Sequence, residues 1–147
     1  MTRQGRLLRL LLRIIGTGGL LAVPCIFLPY SWMDAAYRWS GLGPHLPGEP
    51  VVGYLARSTT AFYAGYGGLL WVLSFDLRRF RPALCYVAAA TILFGLVLLG
   101  TDLVEAMPLW WRLSEGPPIV VFGAAILALS IRLGRDGEQN PREADSS

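Results

Sequence analysis

Apolar residues in this chain gather into four long runs, separated by short polar or aromatic segments. The first, residues 7–30, follows Arg3, Arg6, Arg9 and Arg13 and predicts a helix over about 8–29. Pro24 should bend it and Pro29 should end it, because proline lacks a backbone donor and crowds the preceding turn. The second run, 51–75, is long enough to cross a bilayer with some tilt. It leads into a turn at 76–82 that carries Arg78, Arg79 and Arg81. The third predicts a helix over 83–102 and contains no charge before Asp102. The fourth, 117–133, sits at the lower length limit for a span and opens on Gly116-Pro117-Pro118, a favourable helix start.

The segments between the runs have their own character. Residues 32–40, with Trp32, Tyr37 and Trp39, predict a short helix lying along the membrane interface, capped by Ser31 and broken by Gly41 and Pro44. Residues 102–116, with Trp110 and Trp111, predict a second aromatic anchor on the same side. The last stretch, 134–147, is polar and aperiodic and reads as a disordered tail.

Composition fixes the class. Hydrophobic residues make up 54% of the 147 positions and charged residues only 16%, against about 25% charged in typical soluble domains. A chain of this size could not hide that much apolar surface from water. The reading is an all-α integral membrane protein: a four-transmembrane-helix bundle over 1–133, with one interfacial helix in the first outer loop. A secretory signal is set aside, since the first run exceeds the ~7–15 residues of a signal core and no A-x-A-like site follows it. The basic residues are all Arg. They flank the apolar runs instead of forming a stripe interleaved with aromatics, so nucleic acid is not an expected partner. With the N-terminus cytoplasmic, ten Arg fall on the cytoplasmic side and three on or near the other. Positive-inside logic therefore places both termini in the cytoplasm.

Arg57 is the sharpest candidate for chemistry. It lies about 9 Å inside the second predicted span, at a rise of 1.5 Å per residue, where a charge is costly unless it meets an anion. Asp102 and Glu105, three residues apart on one helical face, stand at the outer end of the third span; Asp102 is the expected partner, with Glu105 as the alternative. Tyr54, Ser58, Thr59, Thr60, Tyr63 and Tyr66 would surround Arg57. Two readings follow. The cluster Arg57, Asp102, Glu105, Tyr54 and Tyr63 is either an ion pair that fixes helix order or a polar ligand site in the outer leaflet. Small residues at four-residue spacing, Ala61 with Gly65, Ala64 with Gly68 and Ala124 with Ala128, suggest close helix packing.

Other chemistry finds little support. Cys25 and Cys85 are predicted on the order of 20 Å apart in depth, too far for a disulfide, and both read as small apolar residues. His45 is the single histidine and has no ligand set around it, so no metal is expected. No catalytic motif of the serine-hydrolase, phosphate-loop or zinc-protease kind occurs, and neither catalytic residue nor cofactor is expected.

The stretch 54–58, continuing through 62–68 and the basic turn 76–82, resembles small four-helix bacterial membrane proteins of the DoxX-like and BphX-like kind. These place an Arg ahead of a glycine-rich second helix and then a basic cytoplasmic turn. The resemblance covers residues 8–132 and implies a four-helix fold in the bacterial inner membrane. Some of these proteins resemble accessory subunits of quinol- or thiosulfate-oxidising systems, and no catalytic residue carries over. The outer loop with His45 is longer than in the compact members. The expected function is thus a non-enzymatic accessory or scaffold subunit, embedded in lipid and assembling with a membrane-protein partner or with itself. The alternative is a small-molecule or lipid-binding membrane protein, with its site at Arg57; a membrane enzyme without a known motif is a third.

Overall fold

A computed structural model describes the backbone of residues 3–144 and the side-chain surroundings of residues 3–134. Among the described residues six α-helices follow in order: α1 Arg3–Leu20, α2 Tyr30–Trp39, α3 Pro50–Leu73, α4 Arg81–Val104, α5 Leu109–Ser114 and α6 Gly116–Ala144, with a 3-10 turn at Val23–Phe27. Among the described residues there is no strand.

Three segments are long and apolar enough to cross a membrane among the described residues: Arg3–Phe27, Arg81–Val104 and Leu109–Gly134. The α3 helix has 24 residues, so its length suffices. What keeps it out of that set is polarity: Arg57-Ser58-Thr59-Thr60, the tyrosines at 54, 63 and 66 and four glycines dilute its aliphatic residues.

The ends of the helices differ from expectation in ways the local chemistry explains. The α-helical part of the first segment stops at Leu20, before Pro24 instead of at Pro29. A proline at 24 obstructs the carbonyl of residue 20, four positions back, and the chain tightens into the 3-10 turn. The α2 helix begins at Tyr30 with Pro29 at its cap position and no side-chain cap. Ser31 therefore stands inside the first turn, and Trp32 and Met33 donate their N–H groups to the Pro29 carbonyl. The α4 helix ends in a Schellman motif: Met107 N–H donates to Asp102 O and Ala106 N–H to Leu103 O, with Ala106 left-handed at φ 51°. That reversal feeds directly into α5, a helix the sequence pattern does not announce. The polar stretch expected without regular structure carries helical backbone as far as Ala144; residues 145–147, and the side chains from 135 onward, lie outside the described residues.

Two compact units divide the chain. One comprises residues 1–12 and 73–147, the other 13–72. In the first, α4 and α6 are the main partners and run antiparallel. A Cβ on Gly95 would lie 3.1 Å from Gly116 O, and one on Gly123 would lie 3.0 Å from Ala88 O. Glycine thus lets the two backbones approach closely. Leu84, Ala88 and Ile126 are fully or almost fully buried there, as is Ser130. In the second unit, α1 crosses α3 through Gly16, Gly19 and Gly67. A Cβ on Gly67 would stand 2.6 Å from Gly16 O and 2.9 Å from Gly19 Cα. The Trp71 indole N–H donates to Thr17 Oγ1 at 3.2 Å, and the Arg13 guanidinium lies 5.0 Å from the Trp71 ring centroid. A cation over an indole face is a favourable electrostatic contact.

Candidate functional site

The residues expected to form one polar cluster fall into both units: Tyr54, Arg57 and Tyr63 on α3 in one, Asp102 and Glu105 at the end of α4 in the other. Arg57 occupies an exposed position, and its Nη2 donates to the Leu28 carbonyl at 3.4 Å. This ties α3 to the extended residue that follows the 3-10 turn. Tyr54 is exposed and Tyr63 half-buried. Ser58 and Thr60 turn their hydroxyls back onto the α3 backbone, donating to Leu55 O and Ala56 O. Such back-bonding satisfies a hydroxyl inside an apolar setting without recruiting another helix.

Asp102 is the most unusual of the five. It is only 5% exposed, and its Oδ2 has no hydrogen-bond partner. A buried carboxylate oxygen in that condition carries a large desolvation cost. Glu105, three residues on, is exposed at the C-cap of α4. Close by in sequence, Arg112 on α5 donates through Nε to Met107 O at 2.6 Å, bracing the Schellman turn.

A second polar cluster, which the sequence reading missed, organises the loop after α2. Asp34 Oδ1 accepts the Leu46 N–H at 2.7 Å. Its Oδ2 lies 3.2 Å from Arg38 Nε and 3.4 Å from His45 Nδ1. The Tyr30 hydroxyl faces the Leu46 and Pro47 carbonyls at 2.8 and 2.6 Å. The Leu46 N–H beside it, with His45 and Arg38, holds the Asp34 carboxyl below the usual carboxylate range, against an opposing effect of desolvation. Partial burial, followed by the charges of Asp34 and Glu49, pushes the Tyr30 phenol up, so it remains a donor. The spacing of Asp34 and Arg38, one helical turn apart, was the available signal. The pairing of Asp34 with Leu46 was not, since it depends on how the loop folds back. Among the described residues no group of three metal-ligating side chains comes together. Cys25 and Cys85 are both free thiols.

The exposed side of α3 carries a shallow, mostly apolar groove lined by Ser58, Ala61, Phe62, Gly65, Tyr66 and Leu69. These positions recur at three- and four-residue intervals and so share one face. Phe62 is 82% exposed, and a Cβ on Gly65 would meet nothing within 4 Å.

No family model, curated protein or solved structure significantly matches the chain.

Proposed function

We propose that the chain is a non-enzymatic accessory or scaffold subunit of a bacterial inner membrane. In this reading α1, α3, α4 and α6 form a four-span bundle, α2 lies along the outer interface and both termini are cytoplasmic. The observation that carries it is the character of α3. That helix is long enough to span yet too polar to rank with the three apolar segments, and its groove exposes Phe62 and Gly65 together. Lipid tails cover aliphatic side chains well, whereas a partner helix packs closely against a face opened by small residues such as Ala61 and Gly65. A partner across this face would therefore fill the groove. The pattern-level resemblance to DoxX-like proteins points the same way.

Substituting Gly65 with Leu fills the groove and tests the reading. The variant is expected to fold as a monomer and to lose its partner in native mass spectrometry of gently extracted membranes. A G65L chain that keeps every stoichiometric partner counts against α3 as the assembly face. The alternative, a binding protein for a small molecule or lipid at Arg57 and Tyr54, draws on the exposure of both side chains. It predicts a retained small ligand that disappears in R57A while the protein partner, if any, stays.

A further inference from the structure

Three contacts in the unit built from residues 1–12 and 73–147 gather basic side chains at one end of it. Arg9 on α1 donates through Nη2 to Phe75 O at 3.4 Å, which sets the start of α1 beside the connection from α3 to α4. The connection itself is fixed: Asp76 Oδ1 accepts the Arg79 N–H at 3.1 Å, and the Arg79 guanidinium lies 5.8 Å from the Phe80 ring centroid. Finally, the Arg81 side chain lies against Gly134, bringing that part of α6 to the base of α4. Arg6, Arg78, Arg79 and Arg132 are exposed at this end. Asp76 is the single carboxylate placed with them among residues 3–134, whose side chains are described, and its Oδ1 already accepts a backbone N–H. Phe75 stands 61% exposed in the same place.

We propose that this end is a binding surface for anionic phospholipid headgroups, with Arg78 and Arg79 as its principal contacts and Arg6 and Arg132 at its margins. Each guanidinium presents a planar fork of donors that matches a phosphate. Arg9 and Arg81 are engaged with the protein and act as positioning residues. Exposed Phe75 suits the boundary between headgroups and acyl chains, where aromatic rings settle. The surface lies where a membrane-spanning chain meets the headgroup layer, so the phosphate is already at hand and fixed in plane. That favours a lipid over a free anion. The proposal goes beyond the subunit reading: it names a lipid class and holds whether or not α3 carries a protein partner.

The test uses the full chain in neutral detergent micelles. Phosphatidylglycerol or phosphatidylcholine of matched acyl chains is added, and bound lipids are counted by native mass spectrometry. Phosphatidylglycerol should be retained preferentially, and R78Q/R79Q should weaken that retention about fivefold per Arg removed, while R78K/R79K keeps most of it. Equal retention of the two lipids, or an undiminished preference in a folded R78Q/R79Q, overturns the proposal. Inorganic phosphate that displaces the lipid at equal concentration also overturns it, by showing a free-anion site. Should R78Q/R79Q fail to fold, R6Q and a salt titration decide. The preference must fall in both, since exposed charges are screened within about 3 Å at 1 M salt, and a preference insensitive to either overturns it.

Discussion

Two glycines on α3, two residues apart, should respond to the same substitution with opposite signs. A Cβ at Gly67 would stand 2.6 Å from Gly16 O, 2.9 Å from Gly19 Cα and 2.9 Å from Leu20 N. All three are backbone atoms, so no side chain can swing aside. Restoring ordinary contact, which begins near 3.4 Å, requires the α1 backbone to retreat by 0.8 Å at the tightest point. Overpacking of this kind costs about 1–3 kcal/mol. Alanine returns about 0.8–1 kcal/mol of helix propensity relative to glycine. Because backbone is met on every side, the upper half of the first range applies, and Gly67→Ala should destabilise by about 1–2 kcal/mol net. At Gly65 nothing lies within 4 Å, so Gly65→Ala should leave stability unchanged or raise it by up to about 1 kcal/mol. The assay is reversible unfolding in mixed micelles by a denaturing detergent, read by tryptophan fluorescence and helicity. Trp71 is a suitable reporter, since its Cδ1 would be 2.7 Å from a Cβ on Gly16. A Gly67→Ala chain as stable as the parent would refute the close crossing. Equal losses at both positions would show that α3 simply needs flexible glycines.

Three further outcomes are expected. Ala106→Gly should leave the turn after α4 as stable or stabilise it by up to about 1.5 kcal/mol, because a left-handed L-residue costs about 1–2 kcal/mol and the added freedom of unfolded glycine returns about 0.4–1 kcal/mol of that; a lowered detergent midpoint would contradict the Schellman geometry. Asp102→Leu should raise stability by about 1–3 kcal/mol by removing a buried polar group whose Oδ2 has no hydrogen-bond partner. A clear loss instead would show that the carboxyl group is held by a polar contact. The Asp34 carboxyl titrates below the usual carboxylate range in the folded loop. Its contribution is therefore complete above the unfolded value and disappears as pH falls through the lower folded one. Protection of the Leu46 amide against hydrogen exchange, taken relative to the intrinsic rate at each pH, should fall on that acid limb and be lost at all pH values in Asp34→Ala, which removes the oxygen that accepts its N–H; a protected amide in that variant would count against the contact.

Much of the architecture was legible in one dimension. The apolar runs announced α1, α3, α4 and α6, since a helix in lipid must satisfy its own backbone and so needs an unbroken apolar stretch. The aromatic segment announced α2 to within two residues at its start. The α5 helix was hidden, because it depends on the reversal at Ala106 and not on any periodicity of its own.

The candidate sites were less legible. Arg57 stood out because charge in an apolar run is conspicuous, but its contact with Leu28 O, twenty-nine residues back, requires the 3-10 turn that Pro24 imposes. Asp34 looked like any residue of an exposed helix until the loop brought the Leu46 N–H to it. Small-residue spacing was the least decisive signal. Of the pairs it marked, Ala64 is buried while Ala61, Gly65, Ala124 and Ala128 are exposed, and Gly16, Gly19, Gly67, Gly95, Gly116 and Gly123 sit where backbones meet. Glycine and alanine at helical spacing say only that an approach is sterically permitted. Which face receives a neighbour is decided by contacts between residues dozens of positions apart, and no local pattern encodes those. The sequence alone therefore determined that this chain is a helical membrane protein and roughly where its four long helices lie; the tertiary structure decided where those helices end, which glycines close the crossings, which carboxylate oxygen is buried without a hydrogen bond, and which face of α3 is left open.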